Sequence, residues 1–483
     1  MASNNLDFMF YPKSLAVVGA SSNPASFGCD FMTHVTSYGY KGKIYPINPK
    51  QSEMFGLKAY PDLLSVPENI DYVISLIGVN NVPALLSQCA KKGVKGVHIL
   101  AGRGAETGRA DAIQLEADII KAARDYGIRL LGPNCLGVFC PETGLAFGYD
   151  FPREPGCVGG VIQSGGNSTD LMHIGALRGL RFSKVVSYGN ALDINQNDLF
   201  EYFLNDSKTK VVVSYIEGLK GDSREFLKLL RQVTAKKPVI ILKGGRTNAG
   251  AKLTVSHTAS LAGSGKIWDI AVRQAGAIPV RNLDEMINMA VAFSMLPPIK
   301  GKRVGIAGCG GGRSILSVDA WADEGFDIPA LPEEIRQELK NRGSQIWDWI
   351  GNPADASITI PGDAYSMTSI TAEMAKNPAF DFIATDAQED PPFGKDRFVQ
   401  ELTENIQGFI KARKENEKPL LVVYDERSVG ITEAESWNYQ TRAKLRTLLV
   451  NEKVPFFPST DEAARAVNEL IAYYQGREEI SRT

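Results

Sequence analysis

Short apolar runs rich in Val, Ile and Leu recur along the chain, separated by amphipathic stretches. In the N-terminal part they are Leu15–Val18, Lys43–Ile47, Tyr72–Ile77, Gly96–Leu100 and Ile128–Leu131. Apolar on both faces, such runs suit parallel strands covered by helices. Between the last two lies Asp111–Arg124, whose apolar spacing and charge placement are helical. The pattern is βαβ repeated, so residues 1–140 are predicted to form one doubly wound α/β domain.

A Pro/Gly-rich join, Phe151–Gly156, precedes further strands at Val158–Ile162, Lys184–Ser187, Lys210–Tyr215 and Pro238–Leu242, which define a second α/β unit over 151–296. Leu296–Gly301 marks its end. The alternation restarts at Arg303–Ala307, Phe380–Thr385 and Pro419–Tyr424, giving a third unit over 302–475. Each of these two units opens with a strand and a glycine-rich turn, Gln163-Ser164-Gly165-Gly166-Asn167 and Gly308-Cys309-Gly310-Gly311-Gly312-Arg313. Two related folds are expected.

Composition narrows the function classes. A chain of 483 residues is long enough for about three domains. With 53 Lys+Arg against 55 Asp+Glu the net charge is −2, which argues against general electrostatic capture of nucleic acid. No run approaches the ~18 apolar residues of a membrane span, and the first residues lack a basic region followed by an apolar one. No membrane partner and a cytoplasmic location are therefore expected. The cysteines Cys29, Cys89, Cys135, Cys140, Cys157 and Cys309 form no Cys-x-x-Cys and have no histidine at ligand spacing, so reduced thiols and no metal site are expected.

The first strand runs into Gly19-Ala20-Ser21-Ser22-Asn23, where small residues let backbone amides approach a phosphate. A dinucleotide reader would show Gly-x-Gly-x-x-Gly and an acidic residue near the end of the next strand. Here that strand ends Ile47-Asn48-Pro49-Lys50, and a lysine in place of the carboxylate favours a ligand with an additional phosphate, such as coenzyme A, over NAD. A solvated surface lysine is the plain alternative. The two other glycine turns open helices, each offering unpaired amides and a positive dipole end, and two such ends facing one another would hold a phosphoryl group.

Of four histidines, His34, His98 and His173 fit packing or surface roles. His257 lies in a long stretch of small and polar residues, Gly244–Gly265, which follows a buried strand and cannot build much core. With no second histidine or cysteine nearby, a metal role is disfavoured. A Ser/His hydrolase is disfavoured by the absence of Gly-x-Ser-x-Gly. Phosphoryl acceptance by the neutral ring uses the anion-holding turns as well. Glu217, at the end of a strand and followed by Gly218, is placed to orient that ring; an ordinary strand-end glutamate is the alternative.

These motifs resemble the α subunit of nucleoside-diphosphate-forming acyl-CoA synthetases, of the ADP-forming acetate–CoA ligase type related to succinyl-CoA synthetase. The resemblance runs through Val17–Ser21, Tyr45–Lys50, Gly132–Gly137, Gln163–Gly165, Ser187–Asn190, Tyr215–Gly218 and Ser256–Gly263. It implies a Rossmann-like CoA-binding domain followed by two flavodoxin-like domains. It also implies CoA contacts at Gly19, Ala20, Ser21, Ser22, Asn23, Asn48, Pro49, Lys50, Ile77, Gly78, Gly102, Pro133, Asn134 and Cys135. Phosphate would be held by Gln163, Ser164, Gly165, Gly166, Gly310, Gly311 and Gly312. His257 would be phosphorylated transiently with Glu217 in support, joining a small carboxylic acid, CoA and ATP through an acyl phosphate to give acyl-CoA, ADP and phosphate, reversibly. No Walker motif or ATP-grasp-like domain is found in the chain. ATP/ADP with Mg2+ would thus bind an ATP-grasp β subunit, in an α2β2 assembly.

The chain departs from the family at Ile162–Thr169 and Gly308–Arg313, adding polar groups beside the presumed acyl site. Asn167 and Arg313 are accordingly candidate substrate contacts, Arg313 for a second anionic group on the acid, with an outward-facing arginine as the plain alternative. The rival from another class is a CoA-binding regulatory or scaffold protein without turnover.

Overall fold

The computed structural model describes residues 6–251, 253, 265–363, 366–387, 394–424 and 436–482. The strands, in chain order, are β1 (Ser14–Val18), β2 (Lys43–Ile47), β3 (Glu53–Met54), β4 (Leu57–Lys58), β5 (Tyr72–Ser75), β6 (Gly96–Ile99), β7 (Arg129–Leu131), β8 (Gly137–Phe139), β9 (Val158–Ile162), β10 (Phe182–Ser187), β11 (Val211–Ile216), β12 (Val239–Lys243), β13 (Ile278–Val280), β14 (Val304–Cys309), β15 (Ala354–Asp355), β16 (Phe382–Asp386), β17 (Leu420–Val423) and β18 (Phe456–Phe457). β3 and β4 form a small hairpin; the others build three sheets.

The first sheet is parallel, in the order β2-β1-β5-β6-β7. The second has the order β13-β12-β11-β9-β10-β8 and is parallel except for β8, which runs antiparallel to β10. The third is parallel, β15-β14-β16-β17-β18. If the parallel strands of each sheet are counted from its own first, all three share the order 2-1-3-4-5, which places a ligand crevice at the carboxyl ends of the strands where the winding reverses. β1 and β9 are buried along their whole length, as strands covered on both faces must be.

Two compact units result. The described residues up to Ala176, with Leu180–Met286, carry the first two sheets; Leu177–Gly179 and the described residues from Ile287 onward carry the third. Strand-to-helix turns are closed by local chemistry. Ser26 caps the helix Phe27–Ser37 by accepting from the Cys29 amide. Asn195 and Asp198 form a capping box on Gln196–Asn205. The helix expected at Asp111–Arg124 spans Ala110–Tyr126 and ends at Gly127 in the left-handed region. Ahead of the sequence break near 140, Gly137–Phe139 already pairs with the second sheet.

Candidate functional site

At the carboxyl ends of β1 and β2 lies a cavity of about 330 Å3 lined by Gly19, Ala20, Ser21, Asn48, Pro49 and Ile77 of the expected CoA contacts, with Pro61, Asp62, Asn81 and Gln88 beside them. The turn is held open by side chains. Asn48 donates to the Ala20 carbonyl oxygen (2.8 Å), and the Ser21 hydroxyl accepts from the Asn23 amide (3.0 Å). Ser22 accepts from Gln51 Nε2 (2.6 Å), and the Lys50 amide donates to Asn48 Oδ1 (2.8 Å). A methyl group at Gly28 would sit 2.3 Å from the Gly19 carbonyl oxygen, so the helix starting at Phe27 meets the turn backbone to backbone. Gly28 went unnoticed in the sequence because it lies beyond the usual fingerprint spacing.

Ser22, Asn23, Lys50 and Gly78 of the expected CoA contacts do not line that cavity, whereas Gly102, Pro133, Asn134 and Cys135 gather where the first two sheets of this unit meet. Gly78 caps the single turn that follows β5. Gly102 follows β6, and Asn134, in the left-handed region at φ 57°, follows β7. Asn134 donates to Asn190 Oδ1 (3.4 Å), and Asn190 donates to Glu106 Oε2 (2.9 Å). The Asn190 amide donates to the Pro133 carbonyl oxygen (3.0 Å). Cys135 is buried and its carbonyl oxygen accepts from His98 Nε2 (2.9 Å), so its thiol faces the core and burial pushes the thiol's pKa up. Glu106 and Asn190 join this cluster without having been singled out; Asn190 stands in one of the motifs quoted above.

Glu217 is gripped from three strand ends. Gln163, just past β9, accepts through Oε1 from the amides of Glu217 (2.8 Å) and Gly218 (3.2 Å). Lys243, closing β12, donates to the Glu217 carbonyl oxygen (2.6 Å) and to that of Gly244. Tyr215, two residues back in β11, donates to Glu217 Oε1 (3.2 Å), and the Asn167 side chain lies beside its hydroxyl. Burial, then the Glu217 carboxylate, pushes the Tyr215 phenol well above its ordinary pKa. Burial pulls the Lys243 ammonium down, with Glu217 opposing. Gln163, expected on a phosphate, thus has its carbonyl oxygen turned to the backbone around Glu217, and its Nε2 has no hydrogen-bond partner among the described residues. Asn167, expected on substrate, has its side chain beside the Tyr215 hydroxyl.

The helix Gly165–Leu177 begins at the same place. The Ser164 hydroxyl accepts from the Asn167 amide (3.3 Å), while the first amides, of Gly165 and Gly166, belong to the set a helix cannot pair internally. Gly166 is exposed, with open space where a side chain would stand. His257 lies outside the described residues, as do 254–264 around it. The start of that segment is fixed beside Glu217: a methyl group at Gly244 would lie 3.1 Å from Glu217 Cγ, and Arg246 is ion-paired to Asp269 (2.6 Å).

In the other unit, Gly310, Gly311 and Gly312 open the helix Gly311–Asp323 onto a cavity of about 460 Å3. Asp355, Asp386 and Glu401 line the same cavity, and Glu401 is ion-paired to Arg397 (2.7 Å). Arg313 is half-buried on that helix. Among the described residues no cluster of His, Cys, Asp and Glu could hold a metal ion, and no helix is long and apolar enough to cross a membrane.

Comparison with known proteins places this arrangement. Residues 13–141 match a family described as CoA binding domain, and residues 155–293 one described as succinyl-CoA ligase like flavodoxin domain. Acetate–CoA ligase [ADP-forming] II subunit alpha of Pyrococcus furiosus is 32% identical over 96% of this chain and 97% of its own length. Acetate–CoA ligase [ADP-forming] of Methanocaldococcus jannaschii is 40% identical over 70% of this chain, and the match spans 47% of that longer protein. A solved structure of the dinucleotide forming acetyl-coenzyme A synthetase 1 of Ca. Korarchaeum cryptofilum, in complex with phosphate and ADP, covers 99% of both chains at a TM-score of 0.81 and 29% identity. The chain belongs to the family of ADP-forming acetate–CoA ligases, whose members are CoA ligases built on this CoA-binding and flavodoxin-like scaffold.

Proposed function

We propose that the chain is the α subunit of an ADP-forming acyl-CoA synthetase, in which the His257 imidazole carries the phosphoryl group between a nucleotide and a small carboxylic acid. In the forward direction the phosphohistidine gives its phosphoryl group to the acid's carboxylate, freeing the ring nitrogen and forming a bound acyl phosphate. The CoA thiol, losing its proton, attacks the acyl carbon and inorganic phosphate leaves. Glu217 accepts a hydrogen bond from the other ring nitrogen, fixing the tautomer and balancing the charge that develops. The amides of Gly165 and Gly166 receive the phosphate, and the cavity at Gly19–Ser21 and Asn48–Pro49 takes the nucleotide end of CoA. The domains read from sequence, 1–140, 151–296 and 302–475, are proposed to correspond to the three sheets.

The observation that carries this reading is the grip on Glu217. A strand-end glutamate with no task would not have its amide, its carbonyl and its carboxylate each held by a side chain from a different residue. The name of the Pyrococcus furiosus relative, a subunit alpha, supports a partner subunit. That partner is proposed to be an ATP-grasp β subunit carrying ATP and Mg2+, in an α2β2 assembly in the cytoplasm. Arg313 is proposed to bias the choice of acid towards one with a second anionic group.

The test is labelling with radioactive phosphate in the presence of a panel of acyl-CoAs, with and without the partner subunit. Acid-labile, alkali-stable label that disappears in His257→Ala is expected. Label surviving that substitution would move the chemistry to another residue.

A further inference from the structure

We propose that Tyr215 is a positioning residue that aims the Glu217 carboxylate, with Asn167 fixing the phenol and Gly244 leaving room for it; this rests on the reading of Glu217 as the partner of His257. Three observations converge. The Tyr215 hydroxyl donates to Glu217 Oε1 at 3.2 Å, tying the last outward residue of the strand to the carboxylate just beyond it. The Asn167 side chain lies beside the phenol oxygen, at the start of the helix whose first amides face the proposed phosphate position. A methyl group at Gly244 would lie 2.6 Å from the Tyr215 hydroxyl oxygen and 3.1 Å from its Cζ, so any side chain there would push the phenol off the carboxylate.

The arrangement has a chemical sense beyond packing. Glu217 has its backbone fixed by Gln163 and Lys243, which leaves its side-chain torsions as the remaining freedom. Tyr215 donates to one carboxylate oxygen and so restricts how the carboxylate is turned. A phenol whose pKa is raised stays protonated, and remains a donor, across the working pH range. The chain Asn167–Tyr215–Glu217 therefore runs from the phosphate end of the site to the imidazole end. It links a residue expected beside substrate to the one proposed to support the phosphorylated ring.

The deciding experiment measures single-turnover labelling of the full chain by radioactive phosphate and acetyl-CoA in wild type, Tyr215→Phe, Glu217→Gln and the double variant, with a melting curve for each. Tyr215→Phe is expected to slow labelling about ten- to hundredfold. Half-saturation by acetyl-CoA should stay within about twofold, because uniform binding is untouched. In the Glu217→Gln background the same change should alter the rate by less than about twofold, since the phenol acts through the carboxylate. Asn167→Ala should slow labelling in the same direction by a smaller factor, which keeps the test open if Tyr215→Phe folds poorly. Multiplying losses in the double variant, or a wild-type rate in Tyr215→Phe beside a slow Glu217→Gln, would overturn the proposal and spare the functional reading. A wild-type rate in Glu217→Gln would remove both.

Discussion

His98 shows how one side chain carries a charge state into the fold. It is buried on β6, its Nε2–H donates to the Cys135 carbonyl oxygen, and burial lowers its pKa from 6.5 to about 4. A depressed histidine pKa stabilises the fold fully above the unfolded value, and that contribution is lost as pH falls from about 6.5 towards about 4. His98→Asn keeps a donor for the carbonyl but does not titrate. The variant should be less stable at neutral pH, and the gap to wild type should narrow on acidification; denaturant midpoints across that window check this, and parallel slopes would refute it. Other residues were differently legible. The strand-end position of Glu217 was readable, and the approach of Tyr215 to it could have been, because residues two apart on an extended strand share a face. Gln163 could not: nothing in Gln163-Ser164-Gly165 says that the carboxamide turns inward to two amides of a neighbouring strand, since that depends on how β9 and β11 pair.

Among the elements, the strand–turn–helix joint repeats at β1, β9 and β14, and glycine stands in the turn or at the start of the helix in each. At the first joint the helix Phe27–Ser37 depends on Gly28, where a methyl group would stand 2.3 Å from the Gly19 carbonyl oxygen and 2.9 Å from the Ser21 amide nitrogen. Both are backbone atoms and cannot step aside, so Gly28→Ala should cost about 1–3 kcal/mol by overpacking. It should also weaken CoA binding, because the displaced turn lines the cavity. Isothermal titration beside a denaturation curve separates the two effects, and unchanged CoA affinity would detach the turn from the ligand. The long central strands were readable as β-branched runs buried on both faces, as at β9 and β12. The edge strands β13, β15 and β18 were not. Two or three residues such as Ala354–Asp355 or Phe456–Phe457 show no period, and only pairing to a neighbour makes them strands.

For the whole molecule, the consequence that matters is that the chain carries more than one core. Ala16, Val73, Val97 and Ile119 belong to a buried cluster around the first sheet, while Ile370, Ile383, Phe409 and Leu449 belong to another around the third, in the second compact unit. The cavity proposed for CoA lies wholly in the first unit. A ligand that binds only the folded form stabilises by about 2.7 kcal/mol at a hundredfold excess over its Kd, roughly 5 °C for a domain of this class. The tryptophans make the two units separately visible. Trp268 stands in the first, whereas Trp321, Trp347, Trp349 and Trp437 stand in the second. Calorimetry with and without CoA should therefore show a transition that rises, and tryptophan fluorescence, dominated by the second unit, should follow the transition that rises least. NAD at the same excess should move neither, given a lysine rather than an acidic residue at position 50. If CoA instead raised only the fluorescence-reported transition, the ligand would belong to the third sheet, and the assignment of the Gly19–Ser21 cavity to CoA would fall. If both rose together as one, the two units unfold as a single cooperative block and the cavity assignment stands.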